Sequence, residues 1–383
     1  MKLLHTSDWH IGRTFHGHSS VAALGLVLDA LVETVRREGV DVVLVAGDVF
    51  DSAVPAAEHY TLLTRVLQAI RAAGAEVVLT SGNHDSPARL GFQAGLLRTS
   101  GVHVLTDPEA YTEPVVLRDR SGVEVGVYGI PFLEPALYRH RHPEESLRRH
   151  EDVLAFATGR IRAHAAAAGR RWIVVAHCFA VGAPAATVER DITAGGLDYV
   201  SVDHFAEADY AALGHIHGRA ELLPNVRYSG APLHYSFGEA SKPRGGWLVE
   251  LGPDGLGSVE WSPLPVPRRL SLIEGRLEEL LVDPSLAEYE PDWVGAVLTD
   301  EVRPLDAMAR LQARFPGCVT LEHRPPQGVS SDTRAYAERI RGRSDIEIVD
   351  DFLAHVRGGH GASETERALV LDALAAVDAE ALR

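Results

Sequence analysis

At 383 residues the chain is long enough for about two domains of roughly 150 residues each, and its 46% hydrophobic content supports a sizeable buried core. No run approaches the ~18 apolar residues of a membrane span, Lys2 precedes any apolar leader segment, and the two cysteines, Cys178 and Cys318, supply neither a disulfide framework nor a thiolate metal site; a soluble cytoplasmic protein is expected. A net charge of −16 runs against the basic footprint usual in nucleic-acid binders, an objection that metal-held carboxylates and a positively charged partner would offset.

In chain order, residues 2–7 read as a short buried strand and 19–38 as an amphipathic helix. A second apolar strand follows at 41–46, a helix at 56–73 and a third strand at 75–80. This strand–helix alternation predicts a stacked α/β domain. Strands are expected again at 123–130, 172–176 and 210–213, with a long helix over 144–168. From 226 to 261 short strands with Gly and Pro turns suggest a second sheet. Pro263, Pro265 and Pro267 mark a boundary, after which strand, helix, strand, helix, strand over 268–323 predicts a small α/β cap. Two helix starts carry capping-box spacing, Ser344 with Glu347 and Ser363 with Glu366, and the Gly358-Gly359 pair between them reads as a hinge.

The chemistry-bearing residues fall where apolar strands end. Thr6-Ser7-Asp8-Trp9-His10 follows the first strand, Gly47-Asp48-Val49-Phe50-Asp51 the second and Gly82-Asn83-His84-Asp85 the third. His177 follows Trp-Ile-Val-Val-Ala, and Gly214-His215-Ile216-His217 follows another apolar run. Ligands bind at the carboxyl ends of strands in α/β sheets, so these ends would converge. Carboxylate, imidazole and amide oxygen suit two divalent cations of intermediate hardness. A carboxylate can bridge two ions, the natural task for Asp48. Each motif alone is a common pattern; together, in order and each at a strand end, they are specific.

These five motifs resemble those of the calcineurin-like metallophosphoesterases. The extended forms His-Thr-Ser-Asp-Trp-His-Ile-Gly-Arg, Ala-Gly-Asp-Val-Phe-Asp and Gly-Asn-His-Asp-Ser-Pro are more narrowly similar to the nuclease subunits of bacterial SbcCD exonucleases, above all over residues 1–240. The resemblance implies a four-layer fold of two stacked mixed β-sheets flanked by helices, with a small α/β cap and C-terminal helices. It divides the chain into a metallophosphoesterase (nuclease) domain at 1–264, a capping and DNA-binding domain at 265–342, and a helical segment at 343–383. It implies one ion held by Asp8, His10, Asp48 and His217, and another by Asp48, Asn83, His177 and His215. His84 would then donate a proton to, or stabilise, the departing 3′ oxygen, with Asp85 behind it, orienting its ring. Asp51 stands where some relatives carry a catalytic histidine. Manganese, 3′→5′ exonuclease action on double-stranded ends, endonuclease action on single strands and hairpins, and a dimer of this subunit joined to two SbcC-type ATPase subunits follow from the same resemblance.

Other residues carry plainer readings. His5 suits a satisfied core histidine, His16 and His18 exposed loop positions ahead of a DNA contact, Cys178 a small buried apolar residue, and Trp9 loop packing ahead of stacking on a base. Arg13 and Arg89 read equally as phosphate-holding forks or as surface arginines. The basic stretch from Arg139 to His150 is interrupted by Glu144 and Glu145 and reads as a solvated helix start. Val370, Ala373, Leu374 and Val377 form one helix face, either packed on the cap or docked on the coiled coil of the ATPase partner, with the adjacent glycine pair favouring the second. Two rival functions share the motifs: a small-molecule nucleotide phosphodiesterase, which would not need 120 residues beyond the catalytic region, and a non-catalytic scaffold, which would not need His84.

Overall fold

Near-continuous apolar runs form strands buried on both faces, and that property sets the architecture. The computed structural model describes residues 1–118, 122–182, 199–326 and 343–381, and the side chains among them as far as residue 374. The chain divides into two compact units, residues 1–267 and 268–383.

In the first unit, β1 (Lys2–Thr6), α1 (Val21–Glu38), β2 (Val42–Ala46), α2 (Ala57–Ala72), β3 (Glu76–Thr80) and β4 (Val102–Leu105) come first. Then follow β5 (Val115–Arg118), β6 (Glu124–Ile130), α3 (His150–Ala168), β7 (Arg171–His177), β8 (Tyr210–Gly214), β9 (Ala220–Leu223), β10 (Val226–Tyr228), β11 (Gly245–Gly252) and β12 (Gly255–Pro263). One six-stranded sheet has the order β12-β11-β1-β2-β3-β4 and the other β9-β10-β8-β7-β6-β5. Both are mixed: β1 to β4 run parallel with β11 antiparallel beside β1, and β6, β7, β8 and β10 run parallel with antiparallel edges.

Side-chain alternation explains the layers. Leu4, Val43 and Val45 face α1 and α2, while Leu3, Val42, Leu44 and Ala46 meet Val127, Ile173, Val175 and Ala212 of the other sheet. The far face of that second sheet packs through Val174 and Ala211 on Val153, Leu154 and Ile161 of α3. Four layers result, helix on sheet on sheet on helix.

Two sequence expectations change, and two strands are added. The long helix begins at His150, not at residue 144, because the Asp152 carboxylate accepts the backbone N–H groups of Arg148 and Arg149 and so caps it there. The strands between 226 and 261 build no separate sheet: β10 joins the second sheet and the long β11–β12 hairpin extends the first beside β1. The strands β4 and β5 come from segments too short for a periodic signal.

The second unit opens with β13 (Leu270–Gly275), α4 (Leu277–Val282), β14 (Trp293–Leu298), α5 (Ala307–Arg314) and β15 (Cys318–His323), a three-stranded parallel sheet in the order β13-β14-β15. Residues 327–342, the end of the expected cap, lie outside the described residues. Then come α6 (Asp345–Val356) and α7 (Glu364–Ala381). Both capping boxes form, with Glu347 accepting from the Ser344 N–H at 2.8 Å and Glu366 from the Ser363 N–H at 2.9 Å. Gly358 and Gly359 take positive φ and close α6, with the Gly359 N–H bonded to the Ala354 carbonyl. The pair is a helix stop clamped on both sides, since Arg357 pairs with Glu366 and Arg367 with Asp350. No helix among the described residues is long and apolar enough to cross a membrane.

Candidate metal centre

Register brings the strand ends level. Thr6 of β1 lies beside Val45, Ala46 beside Thr80, and Gly214 beside His177. His177 closes β7, and the loops that leave the other ends carry Asp8, His10, Asp48, Asn83, His215 and His217. Backbone hydrogen bonds stitch the first two together: Asp8 N–H to the Gly47 carbonyl, His10 N–H to Asp48 and Ile11 N–H to Val49. Asp8, His10, Asp48 and His215 all hold positive φ, 53°, 45°, 48° and 108°. That conformation is uncommon outside glycine and costs about 1–3 kcal/mol at each residue, so the surrounding bonds must over-determine it. Glycines permit the close approach: a Cβ on Gly82 would overlap the Asp48 carboxylate, one on Gly47 the His177 ring and one on Gly214 the Ala46 carbonyl.

Ligating atoms of Asp8, His10 and His217 lie within 4.8 Å of one another, as do those of Asp8, Asp48 and His177, and of His10, Asp48 and His84. The tautomers can be read from the outer partners. His177 Nδ1 donates to the Ala46 carbonyl at 3.0 Å, leaving the Nε2 lone pair 3.0 Å from Asn83 Oδ1 and 3.4 Å from Asp48 Oδ2. His217 Nδ1 donates to the Glu239 carboxylate at 3.2 Å, and its Nε2 faces His10 Nε2 at 3.1 Å. His215 Nδ1 sits 3.1 Å from the same Asn83 oxygen. Acceptors crowded against acceptors repel unless cations lie among them, so the donor set fits divalent metal.

The electrostatics agree. Burial opposes charge on Asp48, but His177, His10 and the His84 backbone N–H outweigh it and hold the carboxyl below its usual range. Burial, with His177 alongside, pushes His215 down to about 4, which keeps the imidazole neutral. Glu239 is held at about 2 despite its burial by the His217 ring N–H, the Tyr235 backbone N–H and Arg244.

Around this cluster several roles differ from the sequence reading. Asp85 does not orient His84. Its buried carboxylate accepts the N–H groups of Gly82, Val49 and Phe50, tying the second and third loops together, and burial raises its pKa to about 6. The His84 ring is held instead by the Asp51 carbonyl, to which its Nδ1 donates at 2.9 Å. Asp51 Oδ1 lies 3.0 Å from Arg13 Nη1 and 3.2 Å from His10 Nδ1, so it braces the first loop. Arg13, committed to Asp51 and stacked over Tyr235, is part of the wall. Arg89 is exposed on the short helix Pro87–Leu90, and no contact among the described residues brings its guanidinium to the cluster. Trp9 is fully buried with its Nε1 on Thr6 Oγ1, which excludes base stacking. His16 and His18 are exposed. His5 is buried and neutral, donating to the Leu213 carbonyl and meeting Tyr210 Oη, and the Cys178 thiol is pushed up to about 12 by burial. Glu239 and Tyr235 carry no sequence signal, because nothing in their spacing from His217 announces a contact.

The model of the family described as calcineurin-like phosphoesterase matches residues 1–219, and that described as the type 5 capsule protein repressor C-terminal domain matches residues 266–357. The chain is similar to the SbcD subunit of the nuclease SbcCD of Escherichia coli strain K12, with 32% identity over 329 residues covering 82% of each chain. It is similar also to the SbcD subunit of the nuclease SbcCD of Staphylococcus saprophyticus, with 26% identity over 367 residues covering 94% of each.

Proposed function

The chain belongs to the calcineurin-like phosphoesterases and, within them, to the SbcD family of nuclease subunits, and from that premise we propose that it is the metal-dependent nuclease subunit of a DNA-processing complex. The observation that carries this reading is the crowding of lone pairs from Asp8, His10, Asp48, Asn83, His177, His215 and His217 at the carboxyl ends of two stacked sheets. Asp8, His10, Asp48 and His217 would hold one ion, and Asp48, Asn83, His177 and His215 the other, with manganese the expected metal. Two divalent ions held there would supply Lewis-acid stabilisation of a phosphodiester and a nucleophile at neutral pH.

The protein's own groups do the rest. His84 donates its Nδ1–H to the Asp51 carbonyl, so Nε2 is the atom at which it takes up a proton and from which it hands that proton to the departing 3′ oxygen. Glu239 and the Ala46 carbonyl hold His217 and His177 in the tautomers that aim Nε2 inward. Asp85 keeps two ligand-bearing loops in register.

By family, the activities are 3′→5′ exonuclease action on duplex ends and endonuclease action on single strands and hairpins, in the cytoplasm, as a homodimer with two SbcC-type ATPase subunits. Residues 1–264 would form the nuclease domain, 265–342 a cap on DNA and 343–383 the partner-binding segment. Digestion of an end-labelled duplex with manganese, with and without the coiled-coil ATPase, tests the reading. Nucleotide release that stops with Asp48→Ala is expected. Brisk hydrolysis of a small nucleotide ester with linear DNA left intact, ATPase present, would overturn it.

A further inference from the structure

Beside the metal cluster the first unit has a mostly apolar recess of about 230 Å³, lined among others by Pro87, Phe132, Leu133, Leu137, Tyr138 and Arg141. It is built where β6 ends. Ile130 pairs with Ala176, so the chain leaves β6 level with His177, and the Phe132 N–H donates to the Ser81 carbonyl at 2.9 Å. That bond ties the recess wall to the loop bearing Asn83 and His84. The Phe132 ring stands edge-on to His177 at 6.3 Å, and Pro87 comes three residues after His84, so wall and cluster are continuous. Tyr138 is buried with its hydroxyl spent on Tyr111.

Leu137, by contrast, is 72% exposed at the recess and presents its apolar side chain to whatever enters it. Arg141 is half-exposed with its Nη1 3.9 Å from Glu109 Oε1, and Arg139, Arg148 and Arg149 lie in the same chain segment, an arginine-rich stretch of an acidic molecule. A space below the roughly 300–1,000 Å³ of drug-sized pockets suits a single flat ring system.

We infer that this recess takes one nucleobase of a nucleotide flanking the scissile phosphate, with Phe132, Pro87 and Leu137 on its apolar faces and Arg141 near the adjoining phosphate. The inference rests on the nuclease reading and adds a substrate feature to it. A duplex enzyme with such a subsite requires the base at the cut to leave its stack, which is easiest at frayed ends and in single strands.

The test uses the full-length protein in its complex with the ATPase, loaded with manganese. Substrates are an end-labelled oligonucleotide and versions with an abasic residue on either side of one linkage. Wild type should cut the abasic-flanked linkage about tenfold more slowly than its normal counterpart, the scale of one lost base contact. Leu137→Ala, a change at an exposed position that leaves the core untouched, and Phe132→Ala should slow the normal linkage by a similar factor and the abasic one little. Equal wild-type rates on normal and abasic linkages would overturn the recess and leave the nuclease reading standing, as would variants that slow both linkages alike. Wild type inert on every oligonucleotide would overturn the nuclease reading and the recess with it.

Discussion

One rule recurs at the histidines. His84, His177 and His217 each donate Nδ1 to an oxygen, of Asp51, Ala46 and Glu239 respectively, so each presents Nε2 away from that anchor. The anchors decide what each ring can do. For His84→Gln we expect metal content near wild type, measured by elemental analysis, and a nuclease rate lower by about 100-fold, as for loss of a general acid; an unchanged rate would remove the proton-donor role. Glu239→Gln should do the reverse. It leaves a neutral group beside His217 and should weaken manganese binding by about 10–100-fold in a calorimetric titration, with circular dichroism unchanged. Wild-type affinity would show that Glu239 serves Arg244 and the Tyr235 turn and not the metal ligand His217.

The elements were legible to different degrees for physical reasons. Val42–Ala46 and Arg171–His177 are apolar runs buried on both faces, and such runs announce themselves. Val115–Arg118 alternates over only four residues, too short to read. The start of α3 depended on one carboxylate, Asp152, and no hydrophobic period marks it. At the other end of the chain α6 and α7 leave Phe352 50% and Leu369 64% exposed while ion pairs clamp the helices together. The side chain of Val377, the last of the stripe that begins at Val370, lies outside the described residues. Phe352→Asp with Leu369→Asp should abolish co-purification with the ATPase subunit while manganese content stays unchanged; intact co-purification would place the partner surface elsewhere.

For the whole molecule, the two units should respond differently to metal, since every candidate ligand lies in residues 1–267. If manganese binds there, at 100 times its dissociation constant it would add about 2.7 kcal/mol to that unit alone. Its calorimetric transition should rise by roughly 5–10 °C while that of residues 268–383 stays put. A common shift of both would mean that the units unfold together. The net charge of −16 belongs to this scale too. DNA affinity of the isolated subunit should therefore depend on the metals and the local arginine segment far more than on the overall field.

The amino-acid sequence alone determined the alternation of strands and helices, the strand-end placement of Asp8, His10, Asp48, Asn83, His84, His177, His215 and His217, and the resemblance that follows from their wording. Those are local properties, carried by apolar runs and by residues next to one another in the chain. Only the tertiary structure decided that Asp51 and not Asp85 holds His84, that Glu239 stands behind His217, and that β11 and β12 complete the first sheet. Each of those is a contact between segments far apart in sequence, set by sheet register and by which carbonyl a ring nitrogen meets, and no periodicity encodes it.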